Sequence, residues 1–210
     1  MNFTKGEKYV TPEQKLRKWL FDESREYDPK VPPPSFDDQG NMILHATIEI
    51  QLEIMGIMQV DKDASTVTFK SAFRQWWYDP RLSWKQEEFG GVDRLWMTSE
   101  EIWTPDTVIR EDAGGNYFSE FKDTQIRIHA SGLHYWTRLG DMKVSASLDF
   151  TKYPYDIQRI NMTIGSWLYN DQRITYEYYK DRETGQPQQL LIQNPNNWYT
   201  DNIEWDFASN

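Results

Sequence analysis

Few residues in this sequence could carry out bond-breaking chemistry, whereas many could bind a ligand. The three histidines, His45, His129 and His134, lack metal-ligand spacing, and no nucleophile elbow or phosphate-binding loop appears. Carboxylates are abundant, so a glycosidase-type acid pair stays open as an alternative. Aromatic residues make up 15% of the chain, which favours broad contact surfaces or stacking sites, including a carbohydrate-binding sandwich. We therefore expect a binding protein rather than an enzyme, with no metal and no cofactor.

The composition restricts the partners. The 210 residues carry a net charge of −10 with a pI near 4.8, which argues against nucleic acid or an anionic membrane surface. The chain has no cysteine and no apolar run long enough to span a membrane. Two glycosylation sequons begin at Asn2 and Asn161. The polar stretch from Met1 to Lys8 does not look like a signal peptide.

The rest of the chain is best understood as a scaffold for the stretch from Leu148 to Tyr169. This stretch predicts a strand, a tight loop from Lys152 to Asp156, and a second strand through Ile160, Met162 and Ile164, because proline removes a ladder donor. The loop tip reads Tyr-Pro-Tyr-Asp, and aromatic side chains are costly to leave in water. We expect this tip to dock against another surface.

The elements around this stretch indicate the fold class. Thr11 and Gln14 can form a capping box around Pro12, which predicts a helix of about four turns. Alternating residues predict strands from Asn41 to Met58 and from Thr66 to Trp77, joined by the turn from Asp61 to Ala64. Further short strands follow; the most clearly marked lie at 124–129, 133–137, 143–148, 173–179 and 198–207. The fold predicted is all-β, an antiparallel β-sandwich of about ten strands with one N-terminal α-helix, forming a single domain over residues 1–210.

Several motifs then resemble one family, the Cys-loop receptors, which are pentameric ligand-gated ion channels. Their signature loop is two cysteines thirteen residues apart around Phe-Pro-Phe-Asp. Here Ala146 and Ile160 stand at the cysteine positions with that spacing, around Tyr153-Pro154-Tyr155-Asp156. The other matching motifs, in the family's order, are Trp77 to Trp84, Trp103-Thr104-Pro105-Asp106, Gly132, Trp136-Thr137, Lys143 and Glu204-Trp205. The resemblance runs from about Thr11 to the C-terminus, and it is most like the nicotinic acetylcholine receptors.

The resemblance implies a ligand site shared between neighbouring subunits. Its principal face would hold Trp167, Arg110 and Tyr169, and its complementary face Ala72, Arg74, Trp136 and Arg138. Arg110 stands where acetylcholine-type members often have tyrosine, and Ala72 where they have an aromatic residue. Arginine repels a quaternary ammonium, so we expect an acidic, zwitterionic or neutral ligand. Trp77, Asp79, Trp103 and Asp106 are interpreted as structural, since aspartates in turns usually bind backbone donors.

The resemblance also implies how the site would be used. The protein would be an extracellular domain that forms a homo- or hetero-pentamer and binds a small-molecule agonist. Its coupling loops would touch a transmembrane pore domain through Tyr153, Pro154, Tyr155, Asp156, Asp61 and Lys62. Asn161 is the candidate glycosylation site. The alternatives are a secreted homologue without a channel, like the acetylcholine-binding proteins, and a carbohydrate-binding sandwich.

Two departures from the family's pattern shape these expectations. The disulfide is absent, and a disulfide closing such a loop contributes roughly 3 kcal/mol in the chain-entropy model. Apolar packing of Ala146 and Ile160 could recover part of this, because burying an isoleucine side chain contributes about 1.5–3 kcal/mol. In addition, the chain stops at Asn210, about where the family's agonist-capping hairpin begins, so we expect a chain truncated before that hairpin and the last strand.

Overall fold

Two long antiparallel strands form the centre of the protein and carry most of its core. The structure, a computed structural model, describes residues 10–115, 121–188 and 190–192. The helix and strands are α1 (Pro12–Leu20), β1 (Ser35–Phe36), β2 (Met42–Ile43), β3 (Ala46–Asp61), β4 (Thr66–Tyr78), β5 (Arg94–Met97), β6 (Thr107–Ile109), β7 (Ile126–His129), β8 (Leu133–Ser145), β9 (Ile164–Ser166), β10 (Ile174–Tyr178) and β11 (Leu190–Ile192).

These strands confirm the predicted fold class, all-β with one N-terminal helix. Seven strands form one sheet in the order β10-β3-β4-β8-β7-β5, with β11 also paired to β3, and β6 and β9 form a separate pair. Inward-facing residues of β3 and β4, such as Ile48, Ile54, Phe73 and Trp77, are almost fully buried. Because side chains alternate between the two faces of a strand, this pattern leaves the opposite face for polar contacts.

The helix begins as predicted and ends earlier. The Thr11 side chain accepts a hydrogen bond from the Gln14 backbone N–H at 3.1 Å, and Gln14 Oε1 accepts from the Thr11 N–H at 2.9 Å. The predicted length of about four turns is wrong, since α1 ends at Leu20 after nine residues. Asp22 accepts from the Ser24 N–H and starts a short 3₁₀ turn, which redirects the chain.

The hairpin of β3 and β4 is confirmed, but part of the sheet is parallel. Asp61 Oδ1 accepts from the Ala64 N–H at 2.9 Å and closes the predicted turn. By contrast, β10 and β11 both pair with β3 in parallel, where the sequence predicted antiparallel neighbours. Arg173 sets the register of β10, because its carbonyl accepts from the Ala46 N–H at 3.0 Å and its guanidinium binds the carbonyl of Pro32 at 2.7 Å.

The stretch from 146 to 163 contains the predicted loop, but the predicted flanking strands form only at their outer ends, in β8 up to Ser145 and in β9 from Ile164. No residue from 146 to 163 belongs to a strand, and pairing resumes only at Ile164. Two of the backbone donors there, those of Asp149 and Thr163, bind side chains instead of a neighbouring strand. The Thr163 N–H donates to Glu111 Oε2 at 2.6 Å, and its hydroxyl donates to Glu111 Oε1 at 2.8 Å. The predicted strand at 198–207 and the Glu204-Trp205 motif lie outside the described residues.

A fully buried histidine packs in the core beside the predicted structural tryptophan. His134 is stacked on Trp77 with ring centroids 5.0 Å apart. Its Nδ1 lies 2.9 Å from the Gly132 carbonyl and donates to it, while Nε2 has no hydrogen-bond partner. Burial lowers the pKa of His134 to about 4, although the nearby Asp79 carboxylate opposes this shift.

We expect this histidine to make the fold sensitive to acid. The native state holds His134 neutral, whereas the unfolded chain takes up its proton near pH 6.5, so stability falls as the pH drops from about 6.5 to 4. The loss attributable to His134 should reach about 3 kcal/mol at the lower end. Urea unfolding of the wild type and of His134→Gln between pH 4 and 7.5 measures the difference in slope. His129→Gln, at an exposed site, should keep the wild-type slope, and equal slopes for all three proteins would contradict the assignment.

Candidate functional site

A cleft of about 510 Å³ lies between the β6–β9 pair and β10. The ladder brings Val108 opposite Gly165, and the Arg110 N–H extends it by donating to the Thr163 carbonyl at 3.0 Å. Arg110 and Tyr169, both predicted for the principal face, line this cleft together with Asp171 and Tyr176. The structure therefore brings two of the three predicted principal-face residues to one site.

The charges in this cleft are of opposite sign. Arg110 and Asp171 are both exposed, and they are the charged residues among the described lining. Within the described part of the chain, neither has an ion-pair partner within 4.0 Å. A free guanidinium can form paired hydrogen bonds with a carboxylate, and a free carboxylate can accept from an ammonium group. The cleft is thus suited to a small molecule that carries both charges.

Trp167 lies beside the cleft and does not line it. Trp167 is 65% exposed, and its backbone N–H donates to the Asp106 carbonyl at 3.3 Å. Asp106 organises this turn, because its carboxylate accepts from the Ser166 hydroxyl at 2.7 Å and from the Leu168 N–H at 2.7 Å. Ser166 Oγ in turn accepts from the Tyr169 N–H at 2.8 Å. The aspartate interpreted as structural therefore positions both predicted aromatic residues.

The predicted complementary face begins on the outer side of β4. Ala72 is only 1% exposed, so its side chain offers almost no surface to a neighbour. Arg74 is partly exposed, forms an ion pair with the buried Glu53, and donates to Gln51 Oε1 at 3.3 Å. Its charge is already matched within the chain. The role of Arg74 in a ligand site remains a prediction. Because its guanidinium is already paired with Glu53, it is less available to a ligand than the sequence suggested.

Trp136 and Arg138 do not share that outer side, and this expectation is wrong. In the ladder between β4 and β8, Trp136 lies opposite Gln75 and Arg138 opposite Phe73, so both point to the inner face. The Trp136 indole is 6% exposed, and its Nε1 donates to the Thr124 carbonyl at 3.2 Å. Counting along one strand could not assign the face, because the register between the strands was unknown.

The residues that do share the outer side with Arg74 were missed. Thr137 lies opposite Arg74, and Tyr135 lies opposite Trp76. The rings of Tyr135 and Trp76 are 5.1 Å apart, and Tyr179 stacks on Trp76 at 4.2 Å. The Ser131-Gly132 turn was visible in the sequence, but it sets only the pairing of β7 with β8 and leaves the pairing of β8 with β4 undetermined.

The two predicted coupling segments lie against each other. Lys62 Nζ, from the turn between β3 and β4, lies 4.3 Å from the ring centre of Tyr153 and 4.6 Å from that of Phe150. This is within the range of a cation–π contact. Tyr155 is 89% exposed at the tip, as expected for a docking surface. Asn161, the glycosylation candidate, is also exposed, and Asn2 lies outside the described residues.

Ala146 and Ile160, at the positions of the missing cysteines, are partly buried and pack against the core. This agrees with the expectation that apolar packing of these two residues recovers part of the stability that a disulfide would contribute. Among the described residues, no group of three His, Cys, Asp or Glu side chains is placed to hold a metal ion. In the same residues, no helix has the length and apolar character needed to cross a membrane.

The sequence of this chain is similar to one protein-family model and to several neuronal acetylcholine receptor subunits. The family model of the neurotransmitter-gated ion-channel ligand binding domain matches residues 13–209. Neuronal acetylcholine receptor subunit beta-3 of Rattus norvegicus is 34% identical over 119 residues, covering 57% of this chain and 25% of the relative. Subunit alpha-5 of Homo sapiens is 31% identical over 127 residues, covering 60% and 27%. Subunit non-alpha-3 of Carassius auratus is 30% identical over 174 residues, covering 80% and 34%.

The match extends over nearly the whole chain, including the signature loop without its cysteines. The chain spans between a quarter and about a third of the length of these curated relatives. The relatives are subunits of receptors and not enzymes, which agrees with the expectation of a binding protein. The family consists of the extracellular ligand-binding domains of membrane receptors, and this chain belongs to it as a neurotransmitter-gated ion-channel ligand-binding domain.

Proposed function

We propose that this domain binds a small zwitterionic or acidic molecule at the interface between two subunits of a pentameric ligand-gated channel, and that binding is coupled to a transmembrane pore. The observation that carries the proposal is the cleft in which Arg110 and Asp171 face solvent without ion-pair partners in the described structure. The carboxylate of the ligand pairs with Arg110, and its ammonium group faces Asp171. The domain has no bond to break, so its work is a shift between two packings of the interface.

The aromatic residues complete this site from the principal side. Tyr169 lines the cleft, and Trp167 presents a largely exposed indole at its edge, where a neighbouring subunit can cover it. Arg74 and the newly placed Tyr135 and Thr137 are the proposed contribution of the neighbouring subunit from its outer sheet face. A quaternary ammonium ligand is disfavoured, because the positive charge of Arg110, which lines the cleft, would repel it.

Coupling is proposed to run through the contact between Lys62 and Tyr153. The exposed Tyr155 and Ile157 at the loop tip would meet the pore domain, so a shift of this loop would be transmitted towards the gate. The carbohydrate-binding alternative is not favoured. Trp76 and Tyr179 are only partly exposed, and their rings stack on each other at 4.2 Å, which covers one ring face of each that a sugar could otherwise use.

We expect Arg110→Met to weaken binding of zwitterions at least tenfold, because a neutral side chain cannot pair with the ligand carboxylate, and tenfold corresponds to about 1.4 kcal/mol. The probes are glycine, glutamate and choline, titrated into the purified protein by calorimetry. Arg110→Lys should keep part of the affinity for glycine and glutamate, because it keeps the charge but loses the paired geometry.

Arg94→Met is the matched control, since Arg94 is an exposed arginine on β5 that pairs with the neighbouring Asp93. It should leave the affinities for all three probes unchanged. Choline binding more tightly than both amino acids to the wild type would contradict the proposal. So would equal affinities of the wild type and Arg110→Met for glutamate.

A further inference from the structure

One side chain closes the signature loop at the place where the family has its disulfide. Gln158 Oε1 accepts from the Asp149 N–H at 2.9 Å, and Gln158 Nε2 donates to the Asp149 carbonyl at 2.8 Å. The amide therefore binds both backbone groups of a single residue, as a partner residue does in an antiparallel sheet. Nε2 also donates to Asp156 Oδ2, which ties the amide to the loop tip.

The position of this bridge in the chain matches that of the missing bond. Asp149 follows Ala146 by three residues, and Gln158 precedes Ile160 by two, so the bridge is nested directly inside the two cysteine positions. The segment that leads into the loop is anchored separately, because the Ala146 N–H donates to the Ser65 carbonyl at 2.9 Å. Lys62, three residues before Ser65, contacts the rings of Phe150 and Tyr153 inside the loop.

The chemistry of this bridge requires an amide of this length. It uses one acceptor and two donor hydrogens, which glutamine supplies and glutamate does not. Asparagine has the same groups on a stem one methylene shorter. Unlike a disulfide, the bridge consists of hydrogen bonds, two to the backbone of Asp149 and one to the Asp156 carboxylate, which open and close without a redox reaction.

We propose that Gln158 is a positioning residue that replaces the family's covalent closure and holds the Tyr153-to-Asp156 tip in its docking geometry. With the bridge formed, Tyr155 and Ile157 are presented outward at 89% and 71% exposure. Loop closure in this protein is therefore reversible and insensitive to reducing conditions. This inference concerns the loop alone and stands independently of the ligand proposed above.

The test is hydrogen exchange at the Asp149 amide and in the peptide from 149 to 158. Gln158→Met removes all three hydrogen bonds while keeping a side chain of similar length. We therefore expect the Asp149 amide to exchange at least tenfold faster. Amides in the centre of β4 serve as an internal reference, because they report global unfolding and should not change. Gln172→Met, at an exposed glutamine outside the loop, should leave the Asp149 amide unchanged.

A covalent rescue separates loop closure from any other role of Gln158. In an oxidised Ala146→Cys/Ile160→Cys background, whose bond is verified by mass spectrometry, adding Gln158→Met should change exchange in the rest of the loop less than threefold. An unchanged Asp149 amide in Gln158→Met overturns the proposal, whether or not the engineered bond forms. Equal acceleration of the rest of the loop in the oxidised and cysteine-free backgrounds overturns it as well.

Discussion

Asp79→Ala is expected to lower the free energy of unfolding by about 3–5 kcal/mol, the largest effect of any substitution considered, because it leaves a partly buried charge unpaired. Asp79 is 1% exposed. Its Oδ1 accepts from the Arg81 N–H at 3.0 Å and from Nε at 2.9 Å, while Oδ2 accepts from an Arg81 terminal nitrogen at 2.8 Å. Burial opposes the charge on Arg81, but these contacts with Asp79 raise the pKa of Arg81 above its ordinary value.

The control for this substitution is the same change at an exposed pair. Asp93 and Arg94 are each about half exposed, and Asp93→Ala should cost less than about 1 kcal/mol. Urea unfolding at pH 7 followed by tryptophan fluorescence measures both. Adding Arg81→Met to Asp79→Ala should recover part of the loss, since the unpaired charge is then gone. Similar losses in Asp79→Ala and Asp93→Ala would show that burial does not strengthen this pair.

Gln75→Leu is expected to cost about 2–4 kcal/mol, because it removes the neutral partner of a largely buried arginine. Gln75 is fully buried, and its Oε1 accepts from Arg138 at 2.9 Å. Its Nε2 donates to Thr107 Oγ1 at 2.6 Å, and that hydroxyl shares a hydrogen bond of 2.9 Å with Tyr176. Burial lowers the pKa of Arg138 to about 10, so the guanidinium stays charged at neutral pH.

A double-mutant cycle separates the charge from the packing. Gln75→Leu/Arg138→Met should be more stable than Gln75→Leu alone, because leucine and methionine need no polar partner. Gln59→Leu, at an exposed position of the neighbouring strand, is the matched control and should change stability by less than about 0.5 kcal/mol. Additive losses from the two single substitutions would contradict the proposed coupling between Gln75 and Arg138.

The features predicted well from sequence are those decided by neighbouring residues. The capping box at Thr11 and Gln14 needs only residues three apart, and the turn at Asp61 needs only one side chain. The hairpin turn at Gly132 is also decided by a single residue. Its φ of +87° favours glycine, and an added Cβ would lie 2.7 Å from the Asp79 carbonyl oxygen. Local chemistry of this kind is visible without knowing the fold.

The features predicted poorly depend on contacts between distant segments. Trp136 and Arg138 were assigned to the wrong sheet face because the face follows from pairing with β4, which a single strand does not reveal. The strands expected on either side of the signature loop are shorter than predicted, since β8 ends at Ser145 and β9 begins at Ile164. Between them, Gln158 and Glu111 accept from the Asp149 and Thr163 backbone donors. The cleft itself joins β6, β9 and β10, so Asp171 could not be recognised beside Arg110 from the sequence.

The parallel pairing of β10 with β3 also has a consequence for synthesis on the ribosome. Ala46 pairs with Ile174, which is synthesised 128 residues later (174 − 46). This edge of β3 therefore stays unpaired until most of the domain has been made. At ordinary translation rates, that interval is on the order of ten seconds. An unpaired strand edge beside Ile48 and Ile50 invites pairing with other nascent chains. The hairpin of β3 and β4 can form early, but the other edge of β3 stays without its β10 partner until β10 has been synthesised.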